Sequence, residues 1–349
     1  MTALGEALRV ARRAKGITQA ELAERIGITQ AALSRYENDL REPSQETVDA
    51  FAAALGVTPE LLASGQRISG AMAVDAHMRR RATAPATKWR RLEARLNMHR
   101  LHTRRLMDEV AIRAERSIPQ LDPIDVDPAA AARIVRMQWR MPVGAVHGLV
   151  RWMEAAGCII VEEDFGTTRV DGMSQWIEDY PVLLINKRLP VDRKRLTLAH
   201  ELGHLVLHSA DFTDTPEEDA NLFAAEFLMP AEVIRPELRN LTLGRLHDLK
   251  RAWMVSMQAL IERAWNLKLI AANERTRFYK QFGARGWRTS EPLSDQLPPE
   301  APELAGNIGV ALATRGLDAL EIAHISGYAD VSDDNPFQPP LRRLRAVEV

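Results

Sequence analysis

Leu196-Thr197-Leu198-Ala199-His200-Glu201-Leu202-Gly203-His204-Leu205-Val206-Leu207-His208 is an apolar helical stretch with three imidazoles and one carboxylate set into it. The four-residue spacing of His200 and His204 stacks both rings on one helix face, where their nitrogens reach one Zn²⁺. Glu201 projects beside them, in the position of a general base. Because the remaining residues are almost all Leu, Ala, Gly and Val, this helix is expected to be buried on most sides. Buried imidazoles need partners, and a metal ion supplies them.

A catalytic zinc site takes three protein ligands and keeps one position open for water. The third is expected downstream, where Pro216 to Pro230 reads as a helix: proline at its start, acids in the first turn, and a stripe of Ala220, Phe223, Ala224, Phe227 and Leu228. Glu217 stands 13 residues after His204, far enough for a loop and a returning helix. It is read as the third ligand, with Glu218 as the alternative. Asn221, one turn on from Glu217, is placed to hydrogen-bond a zinc-bound histidine. Ligation by three histidines on successive turns is strained, so His208 is read as support for the site or as surface.

Composition sets the frame around this centre. At 349 residues, with 46% hydrophobic residues, the chain has room for two or three domains with real cores. The lone Cys158 lies in the apolar run Gly157 to Val161 and excludes a disulfide framework. Neither a signal peptide nor a membrane-spanning run is present, and a cytoplasmic protein is expected. Net charge is only −1, yet ten Lys or Arg stand between Arg79 and Arg105 against the single acid Glu93. That asymmetry points to a nucleic-acid partner at the amino-terminal end.

The first sixty residues carry the pattern such a partner needs. Leu4, Ala7, Leu8 and Ala11 make one helical face, which Gly16 stops. Thr18 caps a second helix with Glu21 in the capping-box position, Gly27 ends it, Thr29 caps a third helix from Gln30 to Glu37, and Glu46 to Leu55 gives a further one. Two short helices joined by a tight glycine turn make a helix-turn-helix, whose second helix enters the major groove. The run from Thr18 to Glu37, T-Q-A-E-L-A-E-R-I-G-I-T-Q-A-A-L-S-R-Y-E, resembles the Cro/C1-type, or XRE, family across residues 4–57. The resemblance implies that Gln30, Ala31, Ser34 and Arg35 face base edges and that Gln19, Asn38 and Arg41 hold phosphates. Asn38-Asp39 stands where the family carries a glycine, a departure that Asn accommodates in the left-handed conformation.

Beyond a hinge after Leu62, a long helix from about Trp89 to Ala114 has apolar positions spaced loosely enough for a linker or a dimer arm. Pro119, Pro123 and Pro128 then break the chain. Helices are expected over Ala129 to Met137 and Val143 to Ala156, a strand over Gly157 to Glu163, a turn at Asp171-Gly172-Met173, and a second strand from Pro181 to Asn186. Val182 to Ile185 is the candidate for pairing with an extended substrate. Trp253, Ser256, Met257, Leu260 and Ile261 read as a helical pair, taken as a layer completing the same core, with a winged or second helix-turn-helix element as the alternative. The Pro-rich end carries a short helix near Ile308 to Ile325 and a disordered terminus from Asp333.

The order of strand, Arg193 and Arg195, the histidine helix and E-x-x-A-N-x-F-A-A-E-F-L-M-P is similar to the ImmA/IrrE family of metallopeptidases. Val170-Asp-Gly-Met-Ser-Gln-Trp176, the run from Trp253 to Leu267 and the stretch Phe282 to Pro292 extend that likeness, and the two resemblances together cover about residues 4–300. It implies His200, His204 and Glu217 as zinc ligands, with Glu201 activating the water. Tyr180, His208 and Tyr279 are the candidates for steadying an oxyanion. The expected architecture is mostly α with a small β-sheet (α+β): an all-α helix-turn-helix domain over 1–65, a basic helical linker over 66–127, a gluzincin-like zinc peptidase domain over 128–292, and a tail over 293–349. The expected function is a DNA-binding transcriptional regulator, as a homodimer on a double-stranded operator, with Zn²⁺ as cofactor, no membrane association, and a repressor protein as the peptidase substrate. The competing reading is a transcription factor whose peptidase-like domain only senses or dimerises.

Overall fold

A computed structural model describes residues 3–63, 86–110, 113–208 and 214–339. Five helices form the amino-terminal head: α1 (Ala3–Lys15), α2 (Gln19–Arg25), α3 (Gln30–Glu37), α4 (Gln45–Leu55) and α5 (Pro59–Ala63). Each motif helix begins where a hydroxyl satisfies a backbone donor left over at its first turn. Thr18 accepts from Glu21 N in a full capping box, Thr29 from Ala32 N, and Ser44 from Thr47 N. Gly27, at φ 71°, makes the turn between α2 and α3 that a side chain would strain. Leu8, Leu22, Leu33, Phe51, Leu55 and Leu61 close the core. After α3 it is Asp39, at φ 55°, that takes the left-handed conformation, and Asn38 stays near the right-handed region at φ −104°.

The long basic helix α6 (Ala86–Glu109) is an internal brace. Ala94, Met98 and Leu101 complete the core of the head, while Trp89, Leu92, Leu96 and Leu106 enter a second core beneath the sheet. Its apolar residues are therefore consumed within the chain rather than offered to a second copy as a dimer arm.

The body begins with α7 (Pro128–Gln138) and α8 (Leu149–Ala155), followed by three strands: β1 (Ile159–Glu163), β2 (Gly172–Ile177) and β3 (Tyr180–Asn186). Their order is β1-β3-β2, with β1 parallel to β3 (Ile159 opposite Val182) and β2 antiparallel to it (Ser174 opposite Leu183). Two sequence expectations change here. Val182 to Ile185 lies in the central strand, both edges already paired, and cannot take up a substrate strand. The segment read as a turn at Asp171-Gly172-Met173 instead opens β2, an edge strand.

Six more helices complete the main core: α9 (Val191–Leu207), α10 (Pro216–Leu228), α11 (Ala231–Ile234), α12 (Leu243–Trp253), α13 (Met257–Asn266) and α14 (Ala272–Ala284). Leu202, Phe223, Phe227, Leu246, Leu260 and Phe282 all belong to that one cluster, as the sequence expected of the 253–261 layer. Two helices follow, α15 (Leu304–Thr314) and α16 (Ala319–Ile325), and the chain beyond them is packed rather than loose: Asn335 and Phe337 are buried. The expected disorder from Asp333 is thus wrong as far as residue 339, and residues 340–349 lie outside the described residues. No described helix is long and apolar enough to cross a membrane.

The carboxy-terminal segment clasps the head. Val57 and Tyr328 form an antiparallel bridge, Thr58 N donates to Gly327 O (3.0 Å), and Ala329 N donates to Gly56 O (3.3 Å). His102 of α6 stacks on Tyr328 with ring centroids 3.8 Å apart and shares a 2.7 Å hydrogen bond with Ser326 O. Since a carbonyl only accepts, Nδ1 carries the proton. Burial drives the His102 pKa down to about 3, so the ring is neutral in the fold. The unfolded chain binds this proton below pH 6.5 and the folded chain does not, so the contribution is present above pH 6.5 and lost as pH falls toward 3. Stability should decline by about 1.4 kcal/mol per pH unit from this residue between pH 6 and 4. His102→Phe, which retains a ring against Tyr328, should flatten the melting temperature against pH in that window.

Candidate metal centre and nucleic-acid face

The first turns of α9 are fixed by buried polar contacts that leave its carboxy-terminal half correctly aimed. Asp192 pairs at 2.5 Å with Lys250 Nζ, which is fully buried and also binds Glu291 (2.9 Å) and Ser294 Oγ (2.8 Å). Arg193 grips Asp171 with two hydrogen bonds (2.9 and 2.8 Å), tying α9 to the start of β2. Arg195 donates to Met254 O (3.0 Å), Val146 O and Glu300. Each buried donor has an acceptor, the condition under which such groups hold geometry instead of costing stability.

α10 then packs on α9 at Gly203. A Cβ there would sit 3.2 Å from Ala220 Cα and 3.2 Å from Phe223 Cβ, so the glycine is what lets the two helices approach closely. That approach delivers Glu217 to the histidines. Its Oε1 lies 3.4 Å from His204 Nε2 and its Oε2 3.6 Å from His200 Nε2, while the two Nε2 atoms are 3.1 Å apart. Glu218, the alternative, is exposed on the outer face of the same turn.

The donor set fits a metal ion. Tetrahedral ligands at about 2.0–2.1 Å from zinc stand about 3.3–3.4 Å from one another; the two Nε2 atoms are at 3.1 Å, and each lies 3.4–3.6 Å from a different oxygen of the Glu217 carboxylate. Asn221 Oδ1 lies 3.1 Å from His200 Nδ1, and His208 Nδ1 lies 3.0 Å from His204 Nδ1. In the tautomer in which Nδ1 of both histidines donates, the two Nε2 lone pairs face the Glu217 carboxylate and each other. A shared cation relieves that arrangement. On the same helix, Glu201 is buried and its Oε2 accepts from Ser174 Oγ of β2 at 2.7 Å.

Residues 153–264 match the family described as the IrrE N-terminal-like domain, of peptidase family M78, and residues 8–62 match the family described as helix-turn-helix. The chain joins a DNA-binding helix-turn-helix domain to an IrrE-like peptidase domain. No curated protein and no solved structure matched the chain.

In the helix-turn-helix domain, Gln30, Ala31, Arg35, Asn38 and Arg41 are exposed, while Ser34 and Gln19 are half-buried. Gln19 Nε2 donates to Glu37 Oε2 (2.8 Å), which fixes the amide at the amino-terminal end of α2. Asn38 turns its amide back onto Ser34 O (2.7 Å), and the Arg41 guanidinium lies 5.8 Å from the Tyr36 ring centre.

The IrrE-like domain holds two groups that sequence reasoning did not assign, Ser174 and Asp219. Ser174 was passed over inside an unrecognised strand, and only the pairing of β2 with β3 turns it toward α9. His208, read from the sequence as support for the site or as surface, is buried; its Nδ1 contact orients the His204 ring, and Asp219 Oδ2 stands at ion-pair distance, 3.6 Å, from its Nε2. The spacing of His208 from His204 and the acid run after Pro216 carried that signal. Of the oxyanion candidates, Tyr279 gives its hydroxyl to Glu262 at 2.6 Å and is committed there.

Proposed function

We propose that this DNA-binding regulator holds one Zn²⁺ in its IrrE-like domain on His200, His204 and Glu217 and hydrolyses a peptide bond in a regulator protein. The convergence of these three groups from two helices, with Glu201 alongside, carries the reading. Zinc dependence, general among IrrE-like peptidases, supports it. When bound, the ion supplies Lewis acidity to the attacking water and to the scissile carbonyl. Glu201 takes the proton from that water and returns it to the leaving amine. Ser174 Oγ donates to Oε2 of Glu201 and holds the carboxylate beside the histidines. Asn221 and His208 keep the ligand rings in the tautomer that presents Nε2.

The edge of β2 replaces β3 as the place for an extended substrate. In the hairpin closed by Glu178 and Asp179, Ile177, Gln175 and Met173 bond to β3, and the backbones of Ser174 and Trp176 point outward. Trp176 O already accepts from Arg100 Nε (3.0 Å), so peptide pairing centres on Ser174, next to Glu201. The head, as a cytoplasmic homodimer, reads two operator half-sites with Gln30, Ala31, Ser34 and Arg35, while Gln19, Asn38 and Arg41 hold phosphates.

A reporter driven by the chain's own promoter tests the whole reading. Glu201→Gln should protect that promoter in a footprint as the wild type does, yet fail to change its expression when the inducing condition is applied. If the variant regulates as well as wild type, the domain only senses or dimerises.

A further inference from the structure

Arg9 and Arg13 stand one turn apart on α1, a like-charge pair that works against the helix. A third guanidinium, Arg90 of α6, faces them across the helix–helix contact, and burial together with Arg9, Arg12 and Arg90 holds the Arg13 pKa below its ordinary value. Arg91, next along α6, donates to Ala14 O (3.3 Å) and lays its guanidinium against Gly16. Arg12 is matched by Glu37 (2.5 Å); among the described residues no carboxylate ion pair engages Arg9, Arg13, Arg90 or Arg91. Four cations are thus gathered from two helices, and among the described residues the one carboxylate that offsets Arg13 is Glu37, already paired with Arg12.

Their position selects the partner. The start of α6 lies beside the turn between α1 and α2, where Arg12 also holds Ile17 O (2.9 Å) and where Gln19 begins α2. In a docked helix-turn-helix the first motif helix crosses the phosphate backbone. Backbone phosphates therefore run past the same corner of the head. We propose that Arg9, Arg13, Arg90 and Arg91 form a second contact with duplex DNA, gripping the phosphate backbone that flanks the bases read by α3. This rests on the reading of the head as a DNA-binding domain. It gives the basic run of α6 a purpose that its buried face does not, and it extends the footprint onto the helix that braces the peptidase body.

The test is salt-dependent binding of the full-length chain to a random-sequence 30-base-pair duplex, followed by fluorescence anisotropy. Each neutralised phosphate contributes about 0.9 to the slope of log affinity against log salt. Arg13→Gln with Arg90→Gln should flatten the slope by about 1.8 and weaken binding about tenfold or more near physiological salt, equally on random and promoter duplexes. Arg13→Lys with Arg90→Lys should keep the wild-type slope. Because repulsion is removed, the Gln pair should melt no lower than wild type, so weaker binding cannot be laid to unfolding. An unchanged slope in the Gln pair overturns the second contact while leaving the helix-turn-helix reading intact. Wild-type protein that binds no duplex at all overturns both.

Discussion

Glu217→Ala is expected to release the metal, whereas Glu201→Gln should keep one equivalent and lose turnover by about 10²–10⁴-fold. The two variants separate holding from chemistry. Glu217 is the only carboxylate within 4.8 Å of both imidazole nitrogens among the described residues, so its loss reduces the set to two neutral donors on adjacent turns. Even losing a hydrogen-bond partner of a ligand typically costs 10–100-fold in metal affinity, and losing the ligand itself should exceed that. Glu201 contributes no ligand to this set; the amide of the Gln variant keeps its shape and its Ser174 contact but cannot take a proton. Metal content after dialysis against a chelator reads the first effect, and cleavage of an XRE-type repressor followed on gels reads the second. Stoichiometric zinc in Glu217→Ala would show that Asp219 or another group supplies the third bond.

What the sequence disclosed and what it hid follow one physical division. The histidine face of α9, the caps at Thr18 and Thr29 and the acid-headed helix α10 are local, written in spacings of three and four, and all were legible. β2 was not, because its Gly172 start and the polar Ser174 and Gln175 mask alternation on a strand buried from both sides. The middle place of β3 depends on two partner strands that both precede it, β1 at 23 residues and β2 at 3 to 13, and nothing inside Val182 to Ile185 announces it. The apolar residues of α6 looked loosely spaced for a related reason: they serve two cores on different sides, and a single periodicity cannot describe both. Its buried Asn97, His99, Arg100 and His102 concealed the same thing, since polar residues in a basic helix read as solvated until the partners across the interface are known. Likewise Phe337, one aromatic in a proline-rich tail, gives no sign of being fully buried.

Glu37→Ala should unfold the head at ordinary temperatures and with it abolish DNA binding. Glu37 is buried at the end of α3, where its two oxygens accept from Arg12 Nε (2.5 Å), Arg12 Nη2 (2.8 Å) and Gln19 Nε2 (2.8 Å). Removing the carboxylate leaves the Arg12 guanidinium enclosed with only Ile17 O to satisfy it. Breaking a buried pair from one side typically costs about 3–5 kcal/mol, comparable to the whole stability of a domain of roughly sixty residues. Replacing both partners removes the uncompensated charge as well, so Arg12→Met with Glu37→Leu should melt within a few degrees of wild type. The double variant should nevertheless bind DNA more weakly, because Gln19 loses the oxygen that holds its amide at the amino-terminal end of α2. Thermal melts of the three proteins, each read beside duplex affinity, separate the two effects. Equal melting of Glu37→Ala and wild type would mean that water reaches Arg12 in solution and that α1, α2 and α3 are held by their apolar core alone.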